Sequence, residues 1–265
     1  MNVLVSGASS GIGFAVATYL ANKGITVYAC DIIEKKFDSN NIIFNKLDVT
    51  DIDAIKDLHN KLKNDNVVLD SIINIAGVFL IDSFIEVNDA ELKKIFDVNL
   101  FGTINLNKYL YPLLSRNGRI IITTSEVAPL DPMPFNGIYN VTKTALDSYA
   151  QALRQELNLN GQKVVTIRPG AFNTALSMGA LVKTEELTNK TQLYKKQSVK
   201  FYNLVKMFMG KPWPPEKLAK TYYKALIKRK PKVIYRKHTN LGLKLLNVLP
   251  KRMQCGIIKL ILKTK

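Results

Sequence analysis

The chain has 265 residues, 47% hydrophobic and 22% charged, which supports one sizeable packed core and argues against disorder. No charge-free apolar run approaches a membrane span, strand-like residues begin almost at Met1 and neither cysteine has metal-ligand spacing; a cytoplasmic location, buried free thiols at Cys30 and Cys255, no metal and no role for His59 or His238 are expected. The formal charge of +17 is uneven, with 14 Lys+Arg against 18 Asp+Glu in residues 1–160 and 24 against 3 in residues 161–265.

Residues 2–5 read as a short buried strand, followed by a turn rich in small residues (Ser6, Gly7, Ser9, Ser10, Gly11, Ile12, Gly13) and by a helix with Phe14, Ala17, Leu20 and Ala21 on one side. Strand, glycine-rich turn and helix in that order make a phosphate cradle, because glycines let backbone amides approach a pyrophosphate at the positive end of the helix. The spacing is G-x-x-x-G-x-G, not the commoner G-x-G-x-x-G, and a glycine-rich turn alone is also ordinary punctuation. A second strand over 25–30 ends in Asp31, 18 residues after Gly13. An acid there accepts hydrogen bonds from ribose hydroxyls and repels a 2′-phosphate by about 1–3 kcal/mol after screening, which favours NAD over NADP. Lys35 and Lys36 keep NADP open, since a nearby basic pair can receive a phosphate.

A third strand over 41–47 leads to Asp48 and Val49, and residues 51–62 have the caps and period of a helix. A fourth strand over 71–75 closes at Asn74, Ile75, Ala76 and Gly77. A helix over 88–114, interrupted around Gly102, precedes a strand over 119–124 that ends at Ser125. With a helix over 136–159, a strand over 164–167, a closing helix over 215–227 and a strand over 232–235, the alternation predicts a doubly wound α/β parallel sheet of about seven strands with helices on both faces. Ligands bind such sheets at the carboxyl ends of the strands, where the glycine turn, Asp31, Asp48, Asn74 and Ser125 all fall.

Tyr139 and Lys143 are four apart on the helix 136–159 and share a face. Making a phenol useful as an acid or base near neutrality needs its ordinary value of about 10 lowered by about three units, or about 4 kcal/mol, which a cation about 4 Å away at an effective dielectric of about 20 can supply. An isolated Y-x-x-x-K is more often a pair of surface neighbours, so the accompanying motifs decide.

Over residues 2–175 these motifs, in this order, resemble those of the short-chain dehydrogenase/reductase family, a Rossmann-type fold. Ser6 replaces the usual Thr of the glycine turn, Asp48 and Val49 resemble the adenine-contacting pair, and Asn74, Ile75, Ala76 and Gly77 match N-N-A-G with its second Asn changed to Ile. Ser125, Tyr139 and Lys143 match the catalytic trio and Asn99 the helix asparagine, while Pro169, Gly170 and Thr174 resemble the segment that contacts the nicotinamide carboxamide. Ser125 lies one residue further from Tyr139 than is commonest in the family, and Glu126 takes the commonest place. Ser125 is still chosen, because a hydroxyl can donate to a substrate oxygen whereas a carboxylate would repel a developing alkoxide. The resemblance implies an NAD-dependent oxidoreductase in which Tyr139 carries the proton, Lys143 lowers the phenol and binds the nicotinamide ribose, Ser125 polarises the substrate oxygen, and Asn99 holds a water linking Lys143 to solvent. It also implies a homo-oligomer joined through the helices at 88–114 and 136–159.

Residues 1–238 are expected to form one domain with a substrate lid at about 175–213, where Met178, Leu181, Phe201, Leu204, Met207, Phe208 and Met209 suggest either a pocket for a hydrophobic alcohol or ketone, or cover for the core. Residues 239–265 form a basic amphipathic extension, with apolar residues among Lys244, Lys251, Arg252, Lys259 and Lys263. It suits an anionic bilayer, peripherally bound, or an acidic partner such as an acyl carrier, or packs on its own domain with lysines outward. Nucleic acid is disfavoured because no aromatic stacking pattern accompanies the charge. Two other functions compete: a carrier-linked acyl reductase using NADPH, in tension with Asp31, and a non-catalytic nucleotide-binding protein, which would not need the set Asn99, Ser125, Tyr139 and Lys143.

Overall fold

The computed structural model describes residues 1–208 and 212–263, with the side chains of residues 175–178 and 208 outside the description. Met209, and the side chains of Met178 and Phe208, therefore lie outside it. In chain order the elements are β1 (Asn2–Ser6), α1 (Gly11–Ala21), β2 (Thr26–Asp31), β3 (Ile42–Lys46), α2 (Ile52–Asn64), β4 (Leu69–Asn74), α3 (Asp89–Phe96), α4 (Gly102–Leu110), β5 (Leu114–Thr123), α5 (Gly137–Leu159), β6 (Lys163–Pro169), α6 (Ala175–Lys190), α7 (Lys195–Phe208), α8 (Pro215–Ile227), β7 (Ile234–Lys237), α9 (Leu241–Val248) and α10 (Lys251–Leu262).

The strands form one seven-stranded sheet in the order β3-β2-β1-β4-β5-β6-β7. Every pairing is parallel, with Ser6 opposite both Cys30 and Asn74, and Asn74 opposite Ile122. Side chains alternate between two apolar layers, as the period of two in a strand requires. Val3, Val5, Ile73, Ile121, Val165 and Ile167 meet α1 and α8 on one face. Leu4, Ile72, Ile120, Ile122 and Val164 meet α2, α4 and α5 on the other. Each fully buried Leu or Ile contributes about 1.5–3 kcal/mol, which is why the strands read as nearly unbroken apolar runs. Consecutive β1, β2 and β3 run one way from the centre while β4 to β7 run the other, so the crevice opens between the carboxyl ends of β1 and β4.

Local chemistry sets most boundaries. Asp51 caps α2 by accepting hydrogen bonds from the backbone N–H groups of Asp53 and Ala54, each at 3.0 Å, and Asn88 caps α3 through Ala90 N–H at 2.8 Å. The break expected at Gly102 falls just before it, as a π-helical stretch over Asp97–Phe101. Gly102 serves another purpose, since a Cβ there would lie 2.6 Å from Val49 Cγ2. Strand β7 begins two residues later than expected. Cys30 is buried in β2 as expected, whereas Cys255 is exposed on α10, because that helix turns only Gln254 and Leu262 fully inward.

Behind β5 and β6 lies a charged brace. The Asp147 carboxylate on α5 accepts from Arg168 Nε at 2.9 Å, from Arg168 Nη2, and from the Thr124 hydroxyl at 3.2 Å. The Arg168 side chain is only 7% exposed, so removing its partner would strand a cation away from water. Asp147→Ala is expected to lower unfolding free energy by about 3–5 kcal/mol, read from urea denaturation at pH 7; a loss under about 1 kcal/mol would show that Arg168 finds other solvation.

Candidate active site

The cleft at the strand ends has a volume of about 460 Å³ and is lined by the glycine turn, Asp31, the segment after β4 and the face of α5 that carries Tyr139 and Lys143. At the turn, the backbone folds onto itself more closely than any side chain would permit. A Cβ on Gly13 would lie 1.8 Å from the Gly7 carbonyl oxygen, and one on Gly7, whose φ is +68°, would lie 2.7 Å from Ala76 N. Ser10 precedes α1 in extended conformation without a side-chain cap, so the first-turn N–H groups stay directed at the cleft with the positive helix end behind them. An uncapped helix start under a bare glycine turn fits a diphosphate, and the residues present suit a dinucleotide.

Neighbouring strand ends brace this turn. The Ser6 hydroxyl accepts from the N–H groups of Ile75 and Ala76 at 3.2 and 3.3 Å. Asp31 accepts from Ser9 N–H at 2.9 Å and Ile33 N–H at 3.0 Å, and the Ser9 hydroxyl donates to the Ile33 carbonyl at 2.6 Å. The carboxylate is thus fixed at the cleft wall by neutral amides, with no salt-bridge partner among the described residues. Asp48 accepts from the N–H and the hydroxyl of Thr50 at 2.8 and 2.7 Å and lines the cleft with Val49.

Gly7, Ser10, Gly11, Ile12, Gly13, Asp31, Asp48, Val49, Ala76, Gly77, Ser125, Tyr139, Lys143, Pro169, Gly170 and Thr174 converge on the cleft, while Ser9, Asn74 and Asn99 stand behind it. Ser9 supports Asp31. Asn74 is buried and donates to Asn107 Oδ1 at 2.9 Å, which makes it a brace between β4 and α4 instead of part of the cleft surface. Asn99 accepts from Val78 N–H at 2.7 Å and donates to the Val78 carbonyl at 3.0 Å and to Thr142 Oγ1 at 3.1 Å. Its amide is thus bonded to the backbone of Val78 and to Thr142 of α5. Sequence reading missed Ile32, Ile33, Lys94 and Val98 on the cleft wall. The exposed apolar pair directly after Asp31 was a usable signal; Lys94 arrives on α3 and Val98 on the π-helical stretch after it, and they offered none.

Ser125, Tyr139 and Lys143 are all buried. The loop after Ser125 is tied to α5 by Asn140 Nδ2 donating to the Val127 carbonyl at 2.9 Å and by the Thr144 hydroxyl donating to the Ala128 carbonyl at 2.8 Å. This winds the additional residue into a turn and leaves the Ser125 hydroxyl beside the phenol, where it favours ionisation of the Tyr139 oxygen. Glu126 points away and accepts from Asn240 N–H. Lys143 Nζ lies 5.7 Å from the Tyr139 ring centroid, and a Cβ on Gly77 would sit 3.3 Å from that nitrogen.

The electrostatics correct the sequence expectation. Burial pushes the Tyr139 phenol up to about 12, with Ser125 pulling it down and Glu126 pushing it up. Burial brings the Lys143 ammonium down to about 8. Desolvation is the largest cause at both groups, because both have left water together. The phenol therefore keeps its proton at neutral pH, and the lysine titrates within an accessible range.

The short chain dehydrogenase family signature matches residues 1–184. Estradiol 17-beta-dehydrogenase 2 of Mus musculus is 34% identical over 187 residues, covering 66% of this chain and 49% of that protein; the Rattus norvegicus protein of the same name is also 34% identical, with 48% of it covered. The chain thus spans about half the length of these curated relatives. The 3-ketodihydrosphingosine reductase of Bacteroides thetaiotaomicron is 25% identical over 233 residues, covering 86% of this chain and 84% of that protein. A crystal structure of a short chain dehydrogenase family protein from Francisella tularensis superposes with a TM-score of 0.73 at 26% identity, covering 89% of this chain and 96% of that one. The chain belongs to the short-chain dehydrogenase family of oxidoreductases, whose members bind NAD(P).

Because Lys143 sits near 8 when folded and near its ordinary value of about 10.4 when unfolded, the unfolded chain binds more protons in between. Its burial cost is fully present below about pH 8 and is relieved as pH rises towards the unfolded value. Lys143→Met should therefore exceed wild type in stability by about 2–3 kcal/mol at pH 7, with the gap closing towards pH 10 in urea titrations. A gap independent of pH would show that the lysine is not desolvated.

Proposed function

We propose that the chain is an NAD-dependent oxidoreductase that interconverts a hydrophobic secondary alcohol and its ketone, with Tyr139 as the acid and base. The observation that carries this reading is the placement of the Tyr139 phenol beside the Ser125 hydroxyl, with Lys143 behind, in the cleft that holds the bare glycine turn. Gly7, Ser10, Gly11, Ile12 and Gly13 would receive the diphosphate, Asp31 the adenosine ribose, Asp48 and Val49 the adenine, and Ala76, Gly77, Pro169, Gly170 and Thr174 the nicotinamide end. A nicotinamide held there would supply or take up the hydride.

The protein's part is to hold the substrate oxygen and move one proton. Ser125 donates a hydrogen bond to that oxygen, and Tyr139 donates its proton as the carbonyl becomes an alkoxide. A phenol raised by burial keeps its proton at neutral pH until a stronger base forms, which suits ketone reduction; alcohol oxidation asks the same oxygen to take a proton. The Lys143 ammonium then limits the cost of the phenolate and would hold the nicotinamide ribose. Walls around the phenol are apolar: the Phe79 ring meets Tyr139 edge to face at 4.7 Å between centroids, and Val78 and Phe172 line the cleft. Tyr139→Phe should reduce turnover at least about 100-fold while leaving NADH affinity within a few fold, measured by single-turnover kinetics and by nucleotide fluorescence titration. Retention of more than about a hundredth of wild-type turnover would remove Tyr139 from the acid/base role.

The preference for NAD rests on the Asp31 charge. Lys35, one of the two basic residues able to offset it, lies over the Phe14 ring at 5.0 Å. The ratio of kcat/KM for the two cofactors should favour NAD by about tenfold or more, and Asp31→Asn, which keeps a hydrogen-bond acceptor but removes the charge, should reduce it by about tenfold. An unchanged ratio in the variant would assign the discrimination elsewhere.

A further inference from the structure

We propose that the outward faces of α9 and α10 form a surface that seats the protein on an anionic lipid bilayer. If the extension packed with its apolar side inward and its lysines outward, its large apolar residues would be covered. The reverse holds. Helix α9 has no buried residue, and Leu241, Leu245 and Val248, at spacing i, i+4 and i+7, are 68%, 63% and 82% exposed on one face. On α10, Met253 and Leu260, seven apart, are 52% and 75% exposed.

Lys244, Arg252 and Lys259 are exposed around these residues, and from Lys217 to Lys265 the sequence has 15 Lys+Arg and no Asp or Glu. Two helices of 8 and 12 residues, about 12 and 18 Å long, fall well short of a hydrocarbon core of about 30 Å and lie along a bilayer surface instead of crossing it. Single-sign charge around an outward apolar stripe matches an anionic interface, where lysine stems extend towards headgroups as the apolar residues enter the acyl boundary. The same charge opposes a second copy of this chain, since a two-fold contact would bring like charges together.

The inner side of α10 points to what the bilayer would deliver. Ile258 and Leu262 pack with Leu187 of α6 and Phe201 of α7, in a cluster that includes Phe79, the ring against Tyr139. One apolar seam therefore runs from the lipid-facing helix to the phenol, which points to a bilayer-dissolved alcohol or ketone as the substrate class. That assignment rests on the oxidoreductase reading, whereas the bilayer seat does not.

The test is flotation of the full chain with phosphatidylcholine vesicles containing about 30% phosphatidylglycerol, against phosphatidylcholine alone and buffer. Recovery with the anionic vesicles should exceed both controls by about tenfold, weaken on raising salt from about 0.1 to 0.5 M, and fall to control in the double variant Leu245→Asp, Leu260→Asp. An unchanged thermal unfolding midpoint and unchanged turnover of a water-soluble ketone would show that this variant is folded. Equal recovery from all three mixtures, or undiminished flotation of a folded double variant, would overturn the proposal. So would wild-type dimers by light scattering that the double substitution dissociates, since the stripe would then belong to a second copy. Turnover lost in wild type and variant alike counts against the reading of the cleft and leaves the flotation result standing.

Discussion

The cleft depends on one costly arrangement, an ammonium and a phenol taken out of water on adjacent turns of α5. Neither burial is repaid by the pair alone, since Lys143 is brought down to about 8 and Tyr139 pushed up to about 12. Holding two groups against their solvation requires rigid surroundings, and most polar contacts near the cleft supply rigidity and not chemistry. Asn99 grips both backbone groups of Val78 and reaches Thr142, one residue before Lys143. Asp147, one turn beyond Lys143, fixes Arg168 of β6 and Thr124 beside Ser125. Helix α5 is thereby locked to β5 and β6 at the point where two of its residues face the cleft.

The parts of this arrangement written in local sequence were legible. Val3, Leu4 and Val5 alternate between two cores, and the helical period of α2 and α8 reflects one buried face each, so element type and order follow from side-chain direction alone. The parallel sheet followed from the alternation of strands and helices, whereas its strand order, β3-β2-β1-β4-β5-β6-β7, came only with the structure. Asp31 was legible because it is both the last residue of β2 and the only charge there. Less legible was whatever depends on a partner far along the chain. Asn74 belongs to a matching motif, yet its amide reaches Asn107, 33 residues away. The direction of the Tyr139 shift was misjudged because helical spacing reports that a cation is near but not that water is absent.

Gly170 shows how one residue serves two constraints. Its resemblance pointed to nucleotide contact, and it does line the cleft. A Cβ there would also lie 1.7 Å from the His238 carbonyl oxygen, so glycine is required by the end of β7 whatever the cleft holds. His238 adopts a φ of 55° and stacks on Trp213 at 4.7 Å, turning the chain from the sheet towards α9. A sequence motif cannot separate these two reasons, and the structure supplies the second.

The same turn explains how the basic extension is joined to the cleft. Asn240, which caps α9, donates its backbone N–H to Glu126, next to Ser125. Further on, Asp131 receives Lys251 and Gln254 of α10. Both anchors fall in the loop carrying the additional residue between Ser125 and Tyr139. Glu126 is mostly withdrawn from water, with burial pushing its carboxyl up and the Asn240 amide pulling it down. A loop that would otherwise be loose is thus held on one side by α5 through Asn140 and Thr144, and on the other by the C-terminal helices. Glu126 and Asp131 thus tie the C-terminal helices to the loop that carries the serine.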